Sequence, residues 1–317
     1  MKNELFFSVV VCTYNRVKYL QICIESLFRQ TLSKELFEII IIDDGSTDNT
    51  FKLVKAYKRN KKIKFFRIYR YNNRGLSHCR NLAAAVAKGK YIAYIDDDAL
   101  ADKNWLRNAQ KYLRKFNNIK GITGPIFPYY IYKKPIWFKD KYETDYKGKT
   151  SRYLKPGELI LGPNMILERK FIKENDGFSA ILGMKAERIF LAEDSKFFED
   201  FWKKNYYDSK LFYGSDIMVY HIIQPYKMKV IYKLKRKFAE GQSYFIKHTN
   251  LLFIERAKLF IIVTAYFIYK SFSAILTSVK YKYMQNWIIE KIGPLVFVLG
   301  YYSVLLKIPI TLKNKSR

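Results

Sequence analysis

Apolar positions in the first hundred residues follow two different periods. The runs Leu5–Val11 and Tyr91–Ile95, and Glu38–Ile42 after its first residue, are short and nearly unbroken. That length and continuity predict strands buried on both faces. Lys64–Tyr69 alternates enough to predict another strand. Between these runs the spacing changes to helical. Leu20, Ile24, Leu27 and Phe28 share one face, as do Phe51, Val54 and Tyr57 behind a cap at Ser46 or Thr47. Ser77–Lys88 reads as a helix stopped by Gly89. Strands alternating with helices predict an α/β fold, a Rossmann-like, mostly parallel sheet with helices on both faces.

Beyond residue 120 the pattern is less regular. Pro125, Pro128 and Pro135 interrupt an aromatic-rich stretch that reads as loop. Leu159–Leu167 has strand character around Gly162-Pro163-Asn164, and Ala192-Glu193-Asp194-Ser195 precedes a helix carrying Phe197, Phe198 and Phe201. From 226 to 258 the chain is basic, with Lys233, Lys235, Arg236 and Lys237 close together. Residues 259–279 and 292–310 are largely apolar, with Lys270 inside the first and Pro294 and Pro309 inside the second. The expected division is therefore 1–120, 121–225 and 226–317.

The strand ends carry the chemistry. Three of them run into Thr13-Tyr14-Asn15-Arg16, Asp43-Asp44-Gly45-Ser46 and Asp96-Asp97-Asp98. Ligands of such sheets sit beyond the carboxyl ends of the strands, so all three clusters fall on one rim. Three adjacent carboxylates repel one another unless a cation or polar ligand offsets them, and a divalent metal held by oxygen ligands meets that need.

Composition narrows the classes. The 317 residues are 49% apolar, with 27 Tyr and 24 Phe, which excludes a disordered chain. Lys+Arg number 58 against 28 Asp+Glu, a formal net charge of +30 that favours anionic partners without choosing among them. Cys12, Cys23 and Cys79 have no metal-site or redox-motif spacing. Cys12 and Cys23 lie in apolar segments and read as buried free thiols, which fits a reducing compartment. Leu5–Val11 is too short for a secretory leader and lacks a small-residue cleavage site.

In this order and spacing, the segments Val9–Arg16, Glu38–Thr50, Asn73–Asn81, Tyr91–Leu106, Gly162–Asn164 and Gly177–Phe198 resemble the family-two glycosyltransferases, inverting enzymes of the GT-A fold. The resemblance covers roughly residues 5–225. It implies that Thr13, Tyr14, Arg16, Asp43 and Asp44 hold the base and ribose of a nucleotide-sugar donor. Tyr14 can stack on a base, and the carboxylates can accept its N–H groups or ribose hydroxyls. The family's Asp-x-Asp pair falls on Asp96 and Asp98, implying Mg2+ or Mn2+ shared with the donor diphosphate. Asp97, between them, is left to face the donor sugar, and Arg74 and Arg80 add positive charge nearby. Glu193 and Asp194 match the family's acidic pair. Asp194 takes the role of base toward the acceptor hydroxyl, and Glu193 positions it or touches the acceptor. His221 falls where many relatives carry a histidine near the metal or the diphosphate. Residues 125–150 match no pattern of the family and are expected to shape the acceptor site.

The apolar C-terminal runs approach the length of membrane spans. Two spans, a re-entrant hairpin or interfacial helices all fit, as does a soluble helical subdomain. The basic stretch ahead of them suits an anionic membrane surface. The expected setting is thus the cytoplasmic face of the cell membrane, with a glycan or lipid-linked acceptor in surface polysaccharide or glycoconjugate synthesis. Two other readings compete. A sugar nucleotidyltransferase would need a triphosphate site, and no Gly-rich phosphate loop lies near residue 15. A nucleic-acid binder would place a polyanion against the acidic rim, and no recognition motif is present, so nucleic acid is not an expected partner.

Overall fold

A computed structural model describes residues 5–59, 65–116, 118–183, 192–205, 210–249, 252–276, 281–308, 310 and 312. The first half runs β1 (Phe7–Thr13), α1 (Val17–Phe28), β2 (Phe37–Asp43), α2 (Thr50–Arg59), β3 (Phe66–Arg70), α3 (Leu76–Val86), β4 (Tyr91–Tyr94), β5 (Ala99–Ala101) and α4 (Trp105–Lys115). It continues through β6 (Gly121–Thr123), β7 (Ile126–Tyr129), β8 (Arg152–Tyr153), β9 (Met165–Glu168), α5 (Arg169–Glu174), α6 (Glu193–Lys204), β10 (Leu211–Tyr213) and β11 (Val219–Ile222). The C-terminal part is helical: α7 (Val230–Lys247), α8 (Phe253–Leu276), α9 (Met284–Trp287), a π-helical turn at Ile288–Ile292, and α10 (Gly293–Leu305).

Strands β3-β2-β1-β4-β9-β6-β10-β8 form one sheet, and β5-β11-β7 a second, smaller one. The larger sheet is parallel from β3 to β4 and turns antiparallel where β9 enters between β4 and β6. Both of its faces are covered, which is why its central strands carry consecutive apolar residues, as at Val9–Val11 and Ile39–Ile42, rather than apolar residues at every second position. On one face Val9, Val11, Ile39 and Ile41 pack with Leu20, Ile24 and Leu27 of α1 and Trp105 of α4. On the other, Val10, Ile40, Ile42 and Ile92 pack with Cys79 and Ala83 of α3 and Phe197 and Phe201 of α6.

Several boundaries differ from the sequence expectation for local reasons. Helix α2 begins at Thr50, whose N–H donates to Asp48 Oδ1 at 2.9 Å. Ser46 and Thr47 are instead engaged by Asn15: its N–H donates to Ser46 Oγ at 2.9 Å, and its Oδ1 accepts the Thr47 N–H at 2.7 Å. The third strand starts at Phe66, and Lys64 lies outside the described residues, as do 184–191 of the Gly177–Phe198 segment and the last residues of the 259–279 run. Gly162–Asn164 forms a 3-10 turn with a strand only after it, and α6 starts at Glu193 itself. Cys23 is buried, but Cys12 is only half-buried, since it faces the cavity described below.

Asn164 holds this junction together. Its Nδ2 donates to the Ile217 carbonyl at 2.8 Å, its Oδ1 accepts Trp105 Nε1–H at 2.9 Å, and its carbonyl accepts Thr123 Oγ1–H at 2.7 Å. The side chain is fully buried. Asn164→Ala therefore strands a buried donor on α4 and a carbonyl ahead of β11, and is expected to cost about 2–4 kcal/mol in urea unfolding. A loss below about 0.5 kcal/mol, the range of an ordinary surface substitution, would contradict this account.

Candidate active site

Because β1 pairs directly with both β2 and β4, the three polar strand ends meet on one rim. Thr13 Oγ1 donates to Asp97 Oδ2 at 2.8 Å, tying the first end to the third. Asp44 accepts the N–H groups of Arg74 and Gly75 at 2.8 and 2.9 Å, and so fixes the loop entering α3. Asp43 lies deeper: Oδ1 accepts the Ser46 N–H at 2.9 Å, and Oδ2 sits 3.5 Å from Arg70 Nε. A cavity of about 920 Å³ opens beside this rim. Thr13, Tyr14, Arg16, Asp44, Arg80 and Asp96–Asp98 line it, whereas Asp43 and Arg74 do not. The Arg74 side chain is exposed, and its backbone rather than its guanidinium is engaged at the site.

Asp98 is the most heavily engaged of the acids. Its Oδ2 takes Arg16 Nη1 at 2.9 Å, Gln224 Nε2 at 3.0 Å and Lys227 Nζ at 2.8 Å, and its Oδ1 lies 3.0 Å from His221 Nε2. Burial alone would raise its pKa, but Lys227, His221 and Arg16 together hold it well below the carboxylate range. Asp96 has the opposite balance. Burial raises its pKa and neighbouring Asp98 adds to that, outweighing the attraction of Arg80, His221 and Lys227. Among the described residues, Asp96, Asp98 and His221 each offer a ligand atom, and all three atoms lie within 4.8 Å of one another. This mixed oxygen and nitrogen set suits Mn2+, and its carboxylates suit Mg2+.

The second half of the chain reaches the same cavity through α6. Arg80, buried under the rim, donates to Glu193 Oε1 at 2.7 Å and lies 3.6 Å from Asp96 Oδ1. One guanidinium thus joins the triple-aspartate turn to the acidic pair. Glu193 is pushed up to about 7 by burial and by neighbouring Asp194, against the pull of Arg80. Asp194 also lines the cavity. Its Oδ2 accepts the Gly162 N–H at 3.1 Å and its Oδ1 the Ser195 N–H at 2.7 Å. Gly162 is confined by this arrangement, since a Cβ there would lie 2.3 Å from Arg80 Nη2. The carboxylate is therefore held by backbone donors at a helix start while still facing the open space.

Sequence reasoning missed Gln224 and Lys227. Both follow His221 on the chain, at the third and sixth positions after it, and a 3-10 turn over Pro225–Met228 folds them back onto Asp98. A usable signal was present: polar residues recurring behind His221 in the otherwise apolar Ile222-Ile223 context. The far wall of the cavity comes from residues 141–145, from Arg236, Lys237 and Tyr244 of α7, and from Ile289 and Phe297 further on.

The chain is similar to proteins of one class. The sequence family described as "Glycosyl transferase family 2" matches residues 8–175. The poly(ribitol-phosphate) beta-N-acetylglucosaminyltransferase TarS of Staphylococcus aureus is 31% identical over 176 residues, 54% of this chain and 29% of that protein. The chain thus matches less than a third of that relative's length. An uncharacterized glycosyltransferase of Methanocaldococcus jannaschii is 29% identical over 271 residues, 83% of this chain and 91% of its own. The mannosyltransferase PcManGT from Pyrobaculum calidifontis, solved with GDP-Man and Mn2+, superposes with a TM-score of 0.63 at 16% identity, covering 93% of this chain and 86% of that one. S. aureus TarS 1-349 with UDP-GlcNAc gives 0.53 at 18% identity, covering 96% and 92%. The fold is that of the GT-A enzymes, and with the family match spanning just over half of its length, this chain belongs to glycosyl transferase family 2.

Proposed function

We propose that this chain is a metal-dependent inverting enzyme that moves a sugar from a UDP-linked donor to a glycan or lipid-linked acceptor. The observation that carries the reading is the meeting of Asp96, Asp98 and His221 with Asp194 on one cavity, joined through Arg80. Asp96, Asp98 and His221 would hold Mg2+ or Mn2+. When bound, the cation offsets the charge that gathers on the diphosphate as the sugar–phosphate bond breaks. Thr13, Tyr14, Arg16, Asp43 and Asp44 are assigned to the nucleoside, Asp97 to the donor sugar, and Arg74 and Arg80 to the surrounding positive field. A UDP-linked donor is favoured by TarS, a relative solved with UDP-GlcNAc.

Asp194 is assigned as the base. The acceptor hydroxyl oxygen bonds to the anomeric carbon on the side opposite the leaving diphosphate. The bond to the diphosphate breaks with its electron pair, and the hydroxyl proton passes to Asp194. The Gly162 and Ser195 N–H groups keep that carboxylate aimed, and Glu193 is anchored by Arg80 behind it. In this reading residues 1–120 bind the donor, 121–225 supply the base and acceptor wall, and 226–317 face a membrane.

The C-terminal helices support that last assignment. Ala257–Ala274 and Met284–Leu305 are long and apolar enough to cross a membrane. Ile261, Phe272 and Leu276 of α8 are exposed at 64%, 65% and 78%. The helices are also tied to the cavity. Gly241 and Gly300 let α7 and α10 approach closely, since a Cβ on either would lie about 2 Å from a carbonyl of the other helix. Tyr142 Oη donates to Asn286 Oδ1 at 2.8 Å, and Glu290 takes Lys139 and Lys141 at 2.9 Å. An acceptor carried in a cytoplasmic leaflet would therefore enter beside the apolar helices.

Two outcomes are expected. Asp194→Asn keeps UDP binding within about twofold and lowers transfer by about 10²–10⁴ in a coupled UDP-release assay. Turnover near that of the unaltered protein would remove Asp194 as the base. The full chain should float with phosphatidylglycerol vesicles more than with phosphatidylcholine ones, because the basic stretch and the apolar helices act together. A chain that stays in the soluble fraction with both would contradict the membrane assignment.

A further inference from the structure

Lys227 reaches two of the three residues assigned to the cation. Its Nζ is 2.8 Å from Asp98 Oδ2 and 3.5 Å from His221 Nε2, the two residues that with Asp96 make up the ligand set. Asp98 Oδ2 already has Arg16 and Gln224 within 3.0 Å. Lys227 is thus a third donor on an oxygen with two lone pairs, and it brings a full positive charge to the ligand set. Lys227 is itself buried, and Asp98 is its one ion-pair partner within 4 Å among the described residues. Arg16 approaches Asp98 from the end of the first strand, as part of the rim. Lys227 arrives from the turn behind β11, on a four-carbon stem with freely rotating bonds.

We propose that Lys227 is a built-in competitor for the divalent cation. It neutralises Asp98 while the site holds no donor, and it yields that position only when a diphosphate offers its ammonium a better anion. Free metal then binds poorly, and metal and nucleotide bind as one unit. The proposal rests on the metal-site reading above and adds to it an order of events set by one side chain. The physical reason is charge. An ammonium already within hydrogen-bond distance of Asp98 must be displaced or must repel the incoming dication, and at 3–4 Å in a partly buried site either costs far more than in bulk water. A diphosphate reverses the sign of that interaction, because it pairs with the displaced lysine.

The test measures Mn2+ binding to the full chain by electron paramagnetic resonance of the free ion, with and without UDP. The unaltered protein is expected to bind Mn2+ at least about tenfold more tightly when UDP is present. Lys227→Met, close in volume but uncharged, should bind Mn2+ alone about tenfold more tightly than the unaltered protein and lose most of the UDP dependence. General damage to the site would move metal affinity the other way. If Lys227→Met proves unfolded by circular dichroism, Lys227→Gln is read in its place against the same criteria. Mn2+ binding to the variant no tighter than to the unaltered protein, while both still bind it with UDP, would overturn the lysine proposal and leave the metal site standing. Failure of both proteins to bind Mn2+ even with UDP would overturn the metal reading and the proposal together.

Discussion

The structure depends on keeping one buried carboxylate charged. Asp98 sits just past β4, 4% exposed, in a region where an unpaired charge would cost several kcal/mol. Its four partners come from three places in the chain: Arg16 after β1, His221 on β11, and Gln224 and Lys227 on the turn that follows. Satisfying it therefore fixes how the smaller sheet stands against the larger one. The Ile222 N–H also donates to the Asp98 carbonyl at 2.7 Å, so backbone and side chain hold the same crossing. The same requirement that organises the fold brings Asp98 and His221 together, two of the three residues to which the proposed function assigns a cation.

Arg80 extends that logic across the molecule. Buried and aimed at Glu193 and Asp96, it lets acids from both halves share a cavity without leaving their charges uncompensated. Gly162 is the steric counterpart, because only a residue without a Cβ leaves room for the guanidinium while its N–H holds Asp194. Neighbouring acids thus differ in character. Asp98 is kept firmly ionised, whereas Glu193 is pushed up to about 7 chiefly by burial. The net charge of +30 has little part in this site, where cations and acids are paired at short range.

Much of this was legible before the structure, and the limits have physical causes. Strands β1, β2 and β4 announced themselves because a sheet covered on both faces favours consecutive apolar side chains, and their polar ends marked the rim. Arg74 and Arg80 could not be told apart, since both belong to the same short basic, polar stretch. Only the course of α3 places one guanidinium in solvent and the other under the sheet. Lys227 escaped notice because its role depends on a 3-10 turn that reverses the chain, and nothing periodic encodes where such a turn points. Ser46 and Thr47 resembled a helix cap for a sound local reason, and lost that role because Asn15, across the rim, engages them.

The central claim is that the rim carboxylates and His221 hold a divalent cation together with a nucleotide diphosphate. Titrating UDP into the full chain by calorimetry, in Mn2+ and again in EDTA, tests this most directly. The account predicts affinity at least about tenfold weaker under chelation, restored when Mn2+ is returned in excess. Equal affinity in the two conditions would contradict it.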